Sequence, residues 1–326
     1  SLRLPDIQDR WPFPVTRNPL ASIVSAQSIA WIESLCILSG PQLQKLQRAD
    51  YGGLAAIAYA SLSQLEHFRV ACDLVHLLFV FDDLTDTLSG HEVRDMAATS
   101  LDALRNWQTP RVRGEHPVGE MHRSFSERLH GLASADILHR FIDGYAKYLH
   151  AVGDEACDRE NGVIKSTLES YLDLRRSTGA VTCAVNLLAL PLDIPTEVLD
   201  DSRIRHLEAL GLDLVCVGND VLSVNVEQAR GDVHNAVIVV MQERRVTIQE
   251  ALDFVGTWYQ RKIHEFLTEM VNLPQFDSIT VRTGVKTYIA GIANWVTGNH
   301  EWSLESRRYF PDGQSPRSTG WIVPLL

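Results

Sequence analysis

Apolar residues recur through most of this chain at the three- and four-residue spacing of helix faces, and polar residues collect where those runs stop. A first apolar helix is expected within Leu20–Leu38, ended by Ser39-Gly40-Pro41, with a small-residue helix after Gly53. A long helix is expected from about residue 63 to 86, stopped by Thr87-Leu88-Ser89-Gly90. Further helices fit His91–Trp107, Met121–Leu132, Asp136 to about Asp154 and Ile164–Arg176. Ser177-Thr178-Gly179 interrupts the last of these before Ala180–Leu190 resumes it. Arg203–Arg230 reads as a long amphipathic helix closed by Gly231-Asp232, and Ile248–Val271 and Val281–Val296 complete the set. The most polar stretch, Thr109–Pro117, is expected to be a loop. No alternating strand pattern, repeat or composition break marks a second core. The expected fold is therefore all-α, a single large helical bundle over residues 1–326. It carries a Pro-rich N-terminal segment at 1–19 (Pro12, Pro14, Pro19) and a loose tail at 311–326.

Composition narrows the function more than the fold. At 326 residues and 45% hydrophobic, the chain can bury a sizeable core. A net charge of −11 argues against a nucleic-acid partner, which needs a basic face. An anionic ligand then requires cations that invert the local sign. The five cysteines are scattered, odd in number and without CxxC spacing, so they read as small core residues in a reducing compartment. No apolar run approaches the ~18 residues that span a bilayer. The start, Ser1-Leu2-Arg3-Leu4-Pro5-Asp6, lacks an apolar signal core, so a cytoplasmic protein without stable membrane association is expected.

Two polar clusters interrupt greasy helices. Asp82-Asp83-Leu84-Thr85-Asp86 follows the run from Leu74 to Phe81, and Asn219, Ser223 and Glu227 follow the apolar stretch from Leu212. Carboxylates are costly to bury without a counter-charge, and hard divalent cations bound through oxygen compensate them. Asp82 and Asp86 share a helix face with Val75, Leu78 and Phe79, whereas Asp83 points about 100° away. Acids in the last turns also oppose the helix dipole by a few tenths of a kcal/mol each. Asn219, Ser223 and Glu227, spaced i, i+4, i+8, form one oxygen-bearing stripe. Taken singly they are ordinary polar helix residues; taken with the first cluster they suggest a metal-bridged phosphate at the mouth of an apolar cavity. Arg175-Arg176 precedes Gly179, whose mid-helix place costs roughly 1 kcal/mol and frees a carbonyl, so an arginine there can fork onto phosphate. Arg307-Arg308-Tyr309, after Trp302, is a second arginine pair with a phenol donor. His234 reads as a residue that packs or bonds locally rather than a ligand.

On these residues the chain resembles the class I terpene synthases, and most of all the sesquiterpene synthases of mushroom-forming (basidiomycete) fungi. Asp82 to Asp86 resembles the Asp-rich motif, and Asn219, Ser223 and Glu227 resemble the metal triad. Arg175 matches the diphosphate-sensing arginine, with Thr178 at the linker and Gly179 at the helix-break position. Arg308-Tyr309 matches the terminal pair, and Trp302 lies where a cavity aromatic is often found. The run from Val226 to Asn235 also resembles this fungal group.

The resemblance implies a bundle around a central apolar cavity and three Mg²⁺, with Mn²⁺ as a substitute. Asp82, helped by Asp86, is expected to hold two ions, and Asn219, Ser223 and Glu227 the third. Arg175, Arg308 and Tyr309 are expected to bind diphosphate from the opposite side, with Phe79 and Trp302 as cation-facing aromatics. The implied reaction ionises a prenyl diphosphate, farnesyl diphosphate first, and releases a sesquiterpene and diphosphate from a monomer or homodimer. Leu78, Phe79, Val217 and Trp302 are expected to shape the product. Two departures stand out: Val226 replaces a basic residue before Glu227, with Arg230 one turn on as its substitute, and Thr178 replaces an acid. Three alternatives remain: an acyclic alcohol (linalool or nerolidol) synthase, a chain-elongating prenyltransferase, and a non-catalytic isoprenoid binder. Elongation would want a second DDxxD where Asn219-Asp220-Val221-Leu222-Ser223 stands, and neither GxSxG nor HExxH occurs.

Overall fold

The computed structural model describes residues 1–163, 165–310 and 313–326. Its helices are α1 (Ala21–Ser34), α2 (Gly40–Ala49), α3 (Tyr51–Ala58), α4 (Leu65–Thr85), α5 (Gly90–Arg105), α6 (Val118–His130) and α7 (Ala135–Glu160). They continue as α8 (Leu168–Thr178), α9 (Val181–Asn186), α10 (Thr196–Leu199), α11 (Ser202–Arg230), α12 (Ala236–Arg244), α13 (Ile248–Val271) and α14 (Ile279–Glu305). The all-α expectation therefore holds.

Local chemistry sets many of the boundaries. Ser39, Ser89, Thr167 and Thr247 each open a helix through a capping box, answering backbone donors that the first turn leaves unpaired. The sequence reads Ser39-Gly40-Pro41 as a stop, yet it is also a start: Ser39 caps α2 and Pro41 takes a first-turn position that needs no N–H. The expected beginning of α8 at residue 164 lies outside the described residues; the helix starts at Leu168 behind the Thr167 cap.

α14 runs nine residues past the expected Val296, through Thr297, Asn299, His300 and Glu301, all buried. Those polar residues break the apolar period but find remote partners. Trp11 Nε1 donates to Thr297 Oγ1 at 2.8 Å, and Asn299 Nδ2 donates to the Val215 carbonyl at 3.1 Å. Gly298 lets α14 lie against α3, since a Cβ there would sit 3.0 Å from the Ala58 backbone nitrogen.

α11 packs on α13 and α14, α14 on α3, and α5 on α6 and α7, so that α4, α8, α9, α11 and α14 surround a central cavity. α11 contains an apolar window long enough to cross a membrane, contrary to the sequence reading, but 83% of that window is buried inside the bundle. The ends of the chain also differ from expectation. Strand β1 (Leu2–Arg3) pairs antiparallel with β2 (Ile322–Val323), Leu2 opposite Val323. Asn225 on α11 donates to the Pro324 carbonyl at 2.8 Å, and Leu2, Leu4, Ile7 and Trp11 enter the core. Residues 316–326 are thus docked rather than loose, while 311 and 312 lie outside the described residues.

Candidate active site

A cavity of about 990 Å³ opens between the C-terminal ends of α4 and α11. Val75, Leu78, Phe79, Val181, Ala184, Val215 and Trp295 line it, and Asp82, Asp83, Asp86, Asn219 and Glu227 stand among the polar residues of its wall. This size is at the upper end for small-molecule sites, about 300–1,000 Å³.

Asp82, Asp83 and Asp86, at the C-terminal end of α4, are all at this wall. Asp82 is half exposed, and its carboxyl is pushed up to about 7 by the protein around it and then by the Asp86 charge, with Arg308 pulling the other way. Asp86 is pushed up as well, by desolvation and by Asp83. Asp83 reaches the rim too, despite its helical angle, because Lys45 on α2 meets it at 2.9 Å and Arg308 at 3.6 Å.

On α11, Asn219 and Glu227 line the cavity, while Ser223 is fully buried behind them. Burial pushes the Glu227 carboxyl up to about 7 and Asp220 adds to the rise; Asn235, Arg175 and Ser223 oppose it. Asn235 Nδ2 donates to Glu227 Oε2 at 2.9 Å and to the Asp220 carbonyl at 2.7 Å, so one amide fixes two turns of the helix. Asn219 is tied on both sides. Its Oδ1 accepts from Arg175 Nη2 at 3.2 Å and its Nδ2 donates to Tyr309 Oη at 2.9 Å.

Arg175 lies at the end of α8, where its Nη2 also meets buried Asp220 at 3.1 Å. Asp220 accepts in addition from Tyr171 Oη at 2.6 Å and from the Ala236 N–H at 3.0 Å, which makes it an orienting group with its oxygens already engaged. The helix break next to Arg175 is real, but Gly179 does not supply it through backbone freedom. Its φ is an ordinary −69°, and the left-handed residue is Ala180, at φ 56°. Glycine is needed at 179 for space: a Cβ would meet Cys216 Sγ at 2.6 Å and the Arg175 carbonyl at 2.9 Å.

Arg308 faces the acids of α4. Its Nη2 lies 3.4 Å from Asp82 Oδ2, and its Nη1 donates to Tyr51 Oη at 2.7 Å. Phe79 lies below, stacked on Tyr51 with ring centres 4.0 Å apart and 5.2 Å from the Arg308 guanidinium. Trp302, expected as a cavity aromatic, is not on the wall. It is buried behind Phe79 and Tyr309, and its Nε1 donates to the Ala49 carbonyl. Trp295 and Tyr148 line the cavity instead. Val217 is likewise buried away from it, because Val215, Cys216 and Asn219 occupy the cavity-facing side of α11.

Sequence reasoning did not find Glu155, Arg159 or Lys45, whose helices carry no motif and reach the site only through the fold, nor Tyr171, one turn before Arg175 on α8. Asp220 was findable, being an acid inside an otherwise apolar helix turn. Arg230 lines the cavity, as does Val226.

The donors at the mouth are carboxylate, amide and hydroxyl oxygens, the set that hard divalent cations take. Burial and neighbouring acids keep the Asp82 and Glu227 carboxyls raised despite Arg308 and Arg175, so these residues fit such a cation. Among the described residues, no three His, Cys, Asp or Glu side chains converge on one metal position. A cation there would draw on the amide and hydroxyl oxygens and on its ligand as well.

The chain matches the family model "Terpene synthase family 2, C-terminal metal binding" over residues 73–265. It is 37% identical over 325 residues to a Delta(6)-protoilludene synthase of Stereum hirsutum, covering 99% of this chain and 92% of that one. It is 37% identical to Sesquiterpene synthase 9 of Postia placenta, over 94% of this chain and 89% of that one. A Delta(6)-protoilludene synthase of Armillaria gallica is 35% identical, with coverage of 94% and 88%. Among solved structures, an a-eudesmol synthase superposes with a TM-score of 0.80 at 18% identity, covering 92% of this chain and 99% of that one. A hedycaryol synthase in complex with HEPES gives 0.76 at 21% identity, with coverage of 93% and 98%. At such identities the structural likeness speaks to the fold.

Proposed function

The chain belongs to the terpene synthase family, and on that premise we propose how its residues divide the work of ionising farnesyl diphosphate. It is a sesquiterpene synthase, a lyase acting on a prenyl diphosphate. Acyclic alcohol formation, chain elongation and non-catalytic binding are not favoured by relatives named as sesquiterpene and Delta(6)-protoilludene synthases. The observation that carries the detailed reading is the shape of one cavity: an apolar interior closed by acids from α4 and α11, with Arg175 and Arg308 each bonded to one of those two segments.

In this reading Asp82 and Asp86, and opposite them Asn219, Ser223 and Glu227, hold three Mg²⁺, with Mn²⁺ as a substitute. When bound, the ions supply positive charge to the departing diphosphate, so no strong side-chain acid is needed. Arg175, Arg308 and Tyr309 donate to the diphosphate oxygens, with Arg175 aimed by Asp220 and Arg308 by Tyr51. Arg230 supplies the basic group that Val226 does not. Phe79, Tyr148 and Trp295 present aromatic groups to the cation, worth about 0.5–2 kcal/mol each where a ring faces it, and the apolar wall keeps water away from it. The proposal extends to a cytoplasmic enzyme, monomeric or homodimeric, without stable membrane association.

Incubation with farnesyl diphosphate and Mg²⁺, followed by gas chromatography, tests this. A sesquiterpene and stoichiometric diphosphate are expected, and both vanish with a chelator. Turnover only of a shorter or longer prenyl diphosphate would overturn the C15 assignment.

A further inference from the structure

We propose that Asn235, at the head of α12, is a positioning residue for the cation held by α11: its amide fixes the Glu227 carboxylate and leaves that group's charge for the metal. This deepens the reading above and rests on it. Asn235 is fully buried. Its Oδ1 accepts the Val237 N–H at 2.8 Å, which caps α12, and its Nδ2 donates to Glu227 Oε2 at 2.9 Å and to the Asp220 carbonyl at 2.7 Å. The partners settle which end of the amide is which, since an N–H requires the oxygen and two oxygens require the nitrogen. The next residue continues the attachment: the Ala236 N–H donates to Asp220 Oδ2 at 3.0 Å. The head of α12 is thus pinned to α11 at Asp220 and, about two turns on, at Glu227.

Capping alone does not call for asparagine here. Ser89, Ser134, Thr167, Thr247 and Ser278 cap other helices of this chain with a hydroxyl. A hydroxyl at 235 would serve α12 equally well. It would not carry the two N–H groups that reach Glu227 and Asp220 at once. What distinguishes asparagine is therefore the bond to the carboxylate. A buried carboxylate needs hydrogen-bond donors, and lysine or arginine could supply them only by cancelling the charge that draws a cation. The amide is neutral, so it holds one carboxylate oxygen in place and leaves the net charge intact. Asp220 also meets Arg175 Nη2 at 3.1 Å. One buried amide and its neighbouring N–H therefore tie the third cation's carboxylate to the group that aims the diphosphate-binding arginine.

The test is calorimetric titration of inorganic pyrophosphate, at a series of Mg²⁺ concentrations, into the full chain and its variants. Asn235→Ser keeps a capping oxygen and loses the amide donors. At a given Mg²⁺ concentration its pyrophosphate affinity is expected to fall roughly ten- to a hundredfold, the usual effect of removing a hydrogen-bond partner from a metal-binding carboxylate. A residue that only capped α12 would leave that affinity unchanged, so wild-type affinity in folded N235S overturns the assignment. In a Glu227→Gln background the same substitution should have a far smaller effect, because its action passes through Glu227. The full loss in both backgrounds would also overturn it. If the wild type does not bind pyrophosphate in Mg²⁺, or Glu227→Gln binds it equally well, the underlying reading fails instead. The side-chain amide resonances of Asn235 in the wild type give a measurement independent of the variants' folding. They are expected to shift when Mg²⁺ and pyrophosphate are added together, and unmoved resonances contradict the proposal.

Discussion

Arg175 Nη2 donates to Asn219 Oδ1 at 3.2 Å, so a guanidinium and the amide oxygen assigned to a cation share one bond. That oxygen serves one partner well at a time, so cation binding at Asn219 and the turning of Arg175 toward an anion are linked. Asn219 also donates to Tyr309, which places both anion-binding elements under the control of one side chain.

Arg175→Lys tests the linkage. Nη2 alone reaches Asn219 and Asp220, and lysine keeps the charge but loses the planar guanidinium whose other N–H groups serve an anion. We expect kcat with farnesyl diphosphate to fall at least about tenfold, with a smaller change in KM, because the lost donors matter most as charge develops on the leaving group. Unchanged kcat would contradict the role.

Gly179→Ala tests whether glycine serves space rather than backbone freedom. The added methyl meets Cys216 Sγ and the Arg175 carbonyl, so a loss of about 1–3 kcal/mol is expected in thermal or urea unfolding. Adding Cys216→Ala should restore part of it, since one of the two collisions disappears. Additive losses in the double variant would show that the sulfur is not the obstacle.

The aromatic assignments separate cleanly. Trp302→Phe removes the bond to the Ala49 carbonyl and should cost about 1 kcal/mol of stability while leaving the product profile alone. Trp295→Leu changes the cavity wall itself and should alter the products seen by gas chromatography. A changed profile in W302F with none in W295L would reverse this account.

The docked C-terminal segment carries a pH signature. Against burial, which pushes it up, the Arg317 and His300 hydrogen bonds hold the Glu301 carboxyl at about 2 from an ordinary 4.5. A folded value below the unfolded one means the pair stabilises above about pH 4.5 and loses that contribution as pH falls toward 2. Arg317 is 47% exposed, so solvent screening limits the effect to about 1–2 kcal/mol. The Tm gap between wild type and Glu301→Gln should be widest near neutrality and close across that acid range. A gap that does not change with pH would contradict the assignment.

The sequence carried the all-α class and both polar clusters because greasy helices interrupted by acids are a local signal. Ile248–Val271 is read to the residue, since Thr247 and Glu250 announce its start and its period is unbroken. What was hidden is remote. The continuation of α14 depends on Trp11 and on the Val215 carbonyl, and the docked tail depends on pairing across the whole chain, Leu2 with Val323. Trp302 failed for another reason. A motif gives its position along α14, but which way an indole faces is decided by Tyr51, Phe79 and the Ala49 carbonyl. Glu155 has no motif at all; only the packing of α7 against α8 brings it to Arg175.

The central claim is that α4 and α11 grip cations jointly to expel diphosphate. Its most direct measurement is diphosphate release from farnesyl diphosphate against Mg²⁺ concentration for wild type, Asp82→Asn and Glu227→Gln. Each variant should lose most turnover, and any activity that remains should need more Mg²⁺, while the helical circular-dichroism signal stays intact. Wild-type rate and Mg²⁺ dependence in either folded variant would contradict the account.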